Sequence, residues 1–184
     1  RIQPLYAALA TDEDRNRLIL ADVASALAQG RSPILLTERK DHLEYFAHHL
    51  QGDARHLVVL RGGMTPTERR AAFATLAAIP DDARRLVLAT GRYIGEGFDD
   101  ARLDTLFLAM PVSWKGTLVQ YTGRLHRLHP GKTEVRIYDY VDREIPMLDR
   151  MFTKRLRGYR AIGYARDSVL AGDDEANTQP AITT

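Results

Sequence analysis

Two arginines lie three positions apart in the last third of the chain, at Arg124 and Arg127. On a helix these side chains would share a face, because residues three apart are neighbours there. Paired guanidinium groups can bind one phosphate through several charge-assisted hydrogen bonds. Gly123, directly before them, lets a neighbouring backbone approach closely. The pattern is compatible with a phosphate site, although an Arg-x-x-Arg pair by itself is more often an exposed basic face of a helix.

A glycine-rich segment is the second candidate for chemistry. Gly91, Gly95 and Gly97 lie between Thr90 and Asp99. Glycines let the backbone approach a ligand, and the amides of such a segment can face phosphate oxygens. The segment therefore indicates a second place where a phosphate could bind, and a glycine-rich loop without a ligand is the alternative.

These segments follow apolar runs that we interpret as buried strands. The runs are short and rich in Val, Ile and Leu, which is typical of strands covered on both faces. They cover residues 34–36, 57–60, 86–89, 105–109 and 134–141. Helical patterns separate them. The sequence therefore predicts an α/β fold: a parallel sheet of about five to six strands with helices on both faces, in a three-layer sandwich.

The predicted sheet also predicts where ligands bind. In open parallel sheets, ligand sites form outside the carboxyl ends of the strands. Three segments would lie there: Arg61-Gly62-Gly63, residues 89–99 and residues 120–127. We therefore expect all three at one edge of the sheet.

Two helix starts are marked by capping residues. Thr65, Pro66 and Glu68 form a capping box with proline at the first helical position. Thr11 and Asp14 have the same spacing and predict the start of an earlier helix. The domain is expected to cover residues 1–171, with a helical lead-in over 1–30 and a closing helix over 145–160. The polar residues 172–184 are expected to be a disordered tail.

Composition excludes several classes of protein. The 184 residues contain no cysteine, which excludes disulfides and thiolate metal sites and fits a reducing compartment. No apolar run reaches the roughly 18 residues of a membrane span. The net charge of +2 is too small to indicate nucleic acid by itself. The first residue is Arg1 rather than Met, so we expect the chain to be part of a longer one.

The segment from Gln120 to Arg127 reads Gln-x-x-Gly-Arg-x-x-Arg, and this resembles motif VI of superfamily 2 helicases of the DEAD/DEAH type. The resemblance implies that the chain is their C-terminal RecA-like domain. It also implies that Arg124 and Arg127 are catalytic and reach the γ-phosphate of ATP, with Gln120 at the nucleotide. Tyr121 stands where some relatives carry another arginine, so that role is not transferred.

The segment from Thr90 to Asp99 is similar to motif V of the same family. The resemblance implies that Thr90 and Gly91 contact the nucleic-acid backbone, and that Gly97 and Asp99 lie by the ribose and the motif VI arginines. The segment is one residue longer than in the Asp-Glu-Ala-Asp branch, which leaves the register between Thr90 and Gly97 open.

Two upstream segments agree with this order of motifs. Residues 34–39 look like motif IV, and Arg61-Gly62-Gly63 looks like the next motif, which implies that Arg61 and Gly62 contact nucleic-acid phosphates. Each is a weak pattern by itself. Both precede the segments that are similar to motifs V and VI, and this order supports the resemblance.

The implied function is that of the second motor domain of an ATP-dependent nucleic-acid helicase or translocase. The cofactor would be ATP with Mg²⁺, both held mainly by a first RecA-like domain, so the chain alone is expected to be inactive. The expected partners are that domain and nucleic acid, with DNA favoured over RNA. No metal site or membrane contact is expected, and the location is expected to be cytoplasmic. The alternative is an α/β module that binds nucleic acid or protein and has no role in ATP turnover.

Two further patterns have other interpretations. Gly131-Lys132-Thr133 resembles the end of a phosphate-binding loop, but His126 stands where that loop needs its first glycine, so we predict a turn. Residues 150–166 carry six basic side chains, with Tyr159 and Tyr164 among them. They could follow a phosphate backbone with the tyrosines stacking on bases, or form the exposed face of the closing helix, which we favour.

Overall fold

The computed structural model describes residues 2–90, 99–113, 117–166 and 181–183 of the chain, the last three and residue 117 by their backbone alone. The helices in this part of the chain are α1 (Ile2–Ala10), α2 (Glu13–Ala28), α3 (Lys40–Leu50), α4 (Pro66–Ala78), α5 (Thr117–Arg124) and α6 (Pro146–Ala161). The strands are β1 (Pro33–Thr37), β2 (His56–Leu60), β3 (Arg85–Thr90), β4 (Thr105–Leu108), β5 (Arg136–Asp139), β6 (Ala165–Arg166) and β7 (Ala181–Thr183). None of these helices is both long and apolar enough to cross a membrane.

One sheet organises the chain, with the strand order β2-β3-β1-β4-β5-β7-β6. The first five strands of that order are parallel to one another. Each of them corresponds to one of the predicted apolar runs, although β5 is shorter than residues 134–141. The predicted α/β class and the parallel sheet are therefore confirmed.

Helices cover both faces of the sheet because successive strand residues point to opposite sides. Ile34 and Leu36 of β1 belong to a core cluster shared with α4, α5 and α6. Leu35 between them belongs to a second cluster shared with α2 and α3. Burying one such side chain contributes about 1.5–3 kcal/mol. These two clusters are the interfaces of a three-layer sandwich.

The end of the chain differs from its prediction. Residues 181–183, within the tail expected to be disordered, form β7, which pairs antiparallel with β5 and with β6. Ile182 is the one large apolar residue of that tail, and the free edge of β5 offers unpaired backbone groups. The prediction of disorder is wrong for these three residues.

The beginning of the chain contains two helices rather than one lead-in. Asp12 is the N-cap of α2, and its side chain accepts a hydrogen bond from the backbone N–H of Arg15. The hydroxyl of Thr11 donates instead to carbonyl oxygens at the end of α1. The predicted cap at Thr11 is therefore wrong by one residue. The capping box of Thr65 and Glu68 at the start of α4 is confirmed.

A buried ion pair joins α6 to the sheet. Arg155 donates through Nε and Nη2 to the two carboxylate oxygens of Asp139, at 2.7 and 2.9 Å. Each of these side chains is 1% exposed. Tyr159 is buried as well, and its hydroxyl donates to Asp139 Oδ2 at 2.8 Å. Arg155 therefore does not lie on the exposed basic face predicted for residues 150–166, because α6 turns it inward with the apolar stripe.

Candidate functional site

Two predicted nucleic-acid contacts meet at the carboxyl edge of the sheet. β2 and β3 are neighbours, with Leu60 opposite Ala89, so the residues that follow them are adjacent. The backbone N–H of Gly62 donates to Thr90 Oγ1 at 3.2 Å. Arg61 is exposed beside them. The structure thus brings Arg61, Gly62 and Thr90 together, and Gly91 lies outside the described residues.

The hydrogen bond from Gly62 orients the hydroxyl group of Thr90. Because the Thr90 oxygen accepts from the Gly62 amide, its own proton remains able to donate to an oxygen of a ligand. Gly63 has φ +85°, a conformation that favours glycine and lets the turn reverse. This small surface can offer a hydroxyl donor and the Arg61 guanidinium to a phosphate.

The two candidate catalytic arginines lie in different surroundings. α5 ends at Arg124, and Arg127 lies in the turn that follows. The backbone N–H of Arg127 donates to Arg124 O at 3.1 Å. Arg124 is half-buried and lines a small pocket, while the Arg127 side chain is 56% exposed. The prediction that both share one helical face is wrong, because the helix stops between them.

An exposed ion pair connects the second and third candidate segments. Arg127 Nη2 lies 2.8 Å from Asp99 Oδ2, and the Asp99 side chain is 45% exposed. The structure therefore places Asp99 beside Arg127. Gly97 lies outside the described residues, and Gln120 is exposed on α5.

The arginines are not at the carboxyl edge of the sheet. Asp100, next to Asp99, lies 2.6 Å from Arg85, the first residue of β3. His129 Nε2 lies 3.7 Å from Asp81 Oδ2, in the turn before β3. α5 starts beyond the carboxyl end of β4 and runs back along the sheet, so its last turn reaches the amino ends of the strands. The prediction that all three segments share one edge is therefore wrong for Gln120–Arg127 and for Asp99, which pairs with Arg127.

A small pocket lies under this end of α5. Its lining residues are Asp100, Leu103, Tyr121, Arg124 and Leu125. Tyr121 is buried, and its hydroxyl has no hydrogen-bond partner among the described residues. Burial raises the pKa of Tyr121 well above its usual value, and the nearby charge of Arg124 opposes that rise. Tyr121 therefore stays protonated, and its hydroxyl is a buried donor in a residue that lines the pocket.

Sequence reasoning missed two contributors to this site. Asp100 is not among the candidates named from the sequence, although it stands directly beside Asp99. Lys132 was placed in a simple turn, but its ammonium group donates to Arg127 O at 2.8 Å and to Ala101 O at 3.1 Å. No spacing rule could reveal that second contact, because it joins residues 31 positions apart. Among the residues described, no group of three or more His, Asp or Glu side chains is placed to hold a metal.

Solved structures with the same architecture show what kind of fold carries this site. UvsW of T4 aligns with a TM-score of 0.66 and 18% identity, over 88% of this chain and 35% of that one. The C-terminal part of the Fun30 ATPase domain aligns with a TM-score of 0.52 and 12% identity, over 67% of this chain and 39% of that one. No protein-family model and no curated protein matches the sequence.

The chain has a RecA-like fold. This is the fold that the resemblance to superfamily 2 helicases implies. The 184 residues of this chain span about a third of the length of the UvsW chain that they match. At these identities, the likeness concerns the arrangement of helices and strands. The roles of individual side chains must therefore be argued from this domain's own residues.

Proposed function

We propose that this RecA-like domain is the second motor domain of an ATP-dependent nucleic-acid helicase or translocase. In this proposal, Arg124 and Arg127 face ATP and Mg²⁺ held by a first RecA-like domain. Asp99, Gly97 and Gln120 lie at the nucleotide, and Arg61, Gly62, Thr90 and Gly91 follow the nucleic-acid backbone. DNA is the expected track, and the cytoplasm is the expected location.

One observation carries the proposal: Arg127 is an exposed guanidinium held in place by Asp99 2.8 Å away. An exposed ion pair is worth only about 0–1 kcal/mol, so Arg127 can exchange a carboxylate oxygen for a phosphate oxygen at small cost. Its planar fork suits phosphate, and the four positions of Gln-x-x-Gly-Arg-x-x-Arg are all present around it.

The chemistry expected of Arg127 is electrostatic. As the γ-phosphoryl group leaves, charge spreads over its oxygens, and a guanidinium placed there stabilises the transition state more than bound ATP. Arg124, half-buried beside the pocket, would provide a second positive charge with less freedom to move. Phosphoryl transfer also needs a phosphate-binding loop and Mg²⁺ ligands, which the first domain would supply.

The nucleic-acid part of the proposal concerns the opposite edge of the sheet. Thr90 and Gly62 are joined there by a hydrogen bond, and Arg61 is exposed beside them. Contacts of this kind are made to phosphates, so they do not distinguish one base sequence from another. The separation of the two edges lets one domain face ATP and nucleic acid with different surfaces.

The alternative is an α/β module that binds nucleic acid or protein without ATP turnover. The pairing of Arg127 with Asp99 favours it to this extent: a surface arginine with a carboxylate partner needs no further ligand. The two functions differ in what Arg127 does in the presence of ATP.

The experiment is an ATPase assay on two proteins: the 184-residue chain, and a chain that joins it to its first RecA-like domain. Each is measured with and without single-stranded DNA. We expect no turnover from the 184 residues and DNA-stimulated turnover from the longer chain. Turnover by the 184 residues alone, or a longer chain that binds DNA but hydrolyses no ATP, would contradict the proposal.

A further inference from the structure

Lys132 connects the two backbone segments that carry the exposed ion pair. Its Nζ donates to the carbonyl oxygen of Arg127 at 2.8 Å and to that of Ala101 at 3.1 Å. Ala101 lies two residues after Asp99 in the chain. One ammonium group therefore touches the backbone of Arg127 and the segment that holds its partner.

We propose that Lys132 is a positioning residue for Arg127: by joining the carbonyl oxygens of Arg127 and Ala101, it sets where the Arg127 guanidinium lies relative to Asp99. The inference rests on the proposed function, in which Arg127 faces ATP. Lys132 itself touches neither ATP nor nucleic acid in this account.

The turn between Arg127 and Lys132 brings the lysine back to its target. Gly131 has φ +83°, a conformation that favours glycine, and the backbone N–H of Lys132 donates to His129 O at 3.1 Å. Leu128 is 96% exposed, so burial of its side chain does not hold the turn. The Lys132 side chain supplies a restraint on the carbonyl end of Arg127, in addition to the contact of His129 with Asp81, while the N–H end is bonded to Arg124 O.

The environment of Lys132 is unusual for a lysine. Its ammonium group is ordinarily strongly hydrated, yet here the side chain is half-buried. Burial lowers the pKa of Lys132, and the charges of Asp104 and Asp100 oppose that lowering. Charge-assisted bonds to two carbonyl oxygens replace lost water contacts. A lysine that served solubility alone would extend into solvent.

The test uses the longer chain with its first RecA-like domain and the variant Lys132→Met, which keeps the apolar stem of the side chain, one atom shorter, but removes its donors. A misplacement of about 1 Å can cost about 100-fold in rate, so we expect kcat for ATP to fall by about 10- to 100-fold. KM for ATP should stay unchanged, because the first domain supplies the ground-state binding. Lys154→Met on α6, where the lysine is exposed, is the matched control and should leave kcat unchanged.

A double-mutant cycle decides whether Lys132 acts through Arg127. If it does, Lys132→Met should lower kcat in the wild-type background and cause little further loss in the Arg127→Ala background. An equal loss in both backgrounds, or no loss in the wild type when Arg127→Ala does lower kcat, would overturn the proposal.

A second measurement separates failure of this inference from failure of the proposed function. Amide hydrogen exchange in the 184-residue chain needs no ATP. Leu103 and Arg127 both have hydrogen-bonded backbone N–H groups, and we expect both to exchange faster in Lys132→Met than in Lys154→Met. Unchanged exchange would overturn the positioning role of Lys132. Full turnover in Arg127→Ala together with faster exchange would leave that positioning role intact and contradict the proposed function.

Discussion

Two arginine–aspartate pairs in this domain have the same chemistry and opposite surroundings. Arg155 and Asp139 are each 1% exposed, with hydrogen bonds of 2.7 and 2.9 Å between guanidinium and carboxylate. Arg127 and Asp99 are 56% and 45% exposed, with one contact of 2.8 Å. The contact distances in the two pairs are nearly the same. The pairs differ in burial.

Burial determines what each pair can do. The Arg155 pair is completed by Tyr159, whose hydroxyl donates to Asp139, and by Val112 O, which accepts from Arg155 Nη1 at 2.7 Å. Removing one member would leave a buried charge without its partner, which is costly. The side chains of the Arg127 pair are about half exposed to solvent, so the pair can open at small cost. We infer that the buried pair holds α6 on the sheet and that the exposed pair keeps an arginine available.

The largest expected effect is on ATP turnover. In the longer chain with its first RecA-like domain, Arg127→Ala should lower kcat by about 10³- to 10⁵-fold, or about 4–7 kcal/mol of barrier. Arg127→Lys should restore little, because a point charge does not reproduce the planar fork. Nucleic-acid-stimulated ATP hydrolysis measures both.

The Arg127→Ala variant is expected to remain folded, so that its loss of turnover reports on the missing guanidinium. Loss of an exposed charge should change the free energy of unfolding by less than about 0.5 kcal/mol. A folded Arg127→Ala variant with normal turnover would show that the exposed pair is an ordinary surface ion pair.

The next largest effect is on stability, at the buried pair. Arg155→Met should lower the free energy of unfolding by about 3–5 kcal/mol, because Asp139 would remain buried without its partner. Urea unfolding of the 184-residue chain measures it. Arg157→Met, on the same helix but exposed, is the control and should unfold like the wild type. Equal stability of the two variants would mean that burial does not distinguish the pairs.

The buried side chain of His42 gives a prediction that depends on pH. His42 is bonded to Thr37 Oγ1 at 2.9 Å and to Asn16 Oδ1 at 2.8 Å. Burial, assisted by the charge of Arg15, lowers the pKa of His42 from 6.5 to about 4. Between these values the unfolded chain binds a proton that the folded domain does not. Stability is therefore full above 6.5 and falls as the pH drops toward 4, by about 3 kcal/mol in all.

Urea unfolding measured from about pH 7.5 to about pH 4.5 tests the His42 prediction. His42→Gln removes the titrating group, so its free energy of unfolding should depend less on pH across that window. If the variant and the wild type lose stability in parallel, other groups are responsible.

The smallest effects are expected at the carboxyl edge. Thr90→Val removes a hydroxyl donor and should weaken binding to single-stranded DNA by about 0.5–1.5 kcal/mol, with an unchanged dependence on salt. Arg61→Gln removes a charge and should reduce the slope of log affinity against log salt by about 1. Titration of labelled DNA at several salt concentrations distinguishes them. Identical salt slopes in the wild type and both variants would show that Arg61 does not contact the phosphates of the nucleic acid.

Local patterns in the sequence were sufficient for the parallel strands of this fold and for the start of α4. The five apolar runs became the five parallel strands, and Thr65 with Glu68 caps α4 as expected. These features depend on residues a few positions apart, and their physical causes, hydrophobic periodicity and capping hydrogen bonds, act over that range. The candidate arginines can be named from the sequence for a similar reason, because Gln-x-x-Gly-Arg-x-x-Arg is a short pattern.

The environment of each charged side chain was decided by tertiary structure. Arg155 and Arg157 differ by two positions, yet Arg155 pairs with Asp139 in the core and Arg157 is exposed, because α6 presents one face to the sheet. Likewise, the contact of Lys132 with Ala101 and the pairing of Asp99 with Arg127 exist because α5 returns its last turn to the amino ends of the strands. Long-range pairing depends on how elements pack across the sheet, and no local spacing records that.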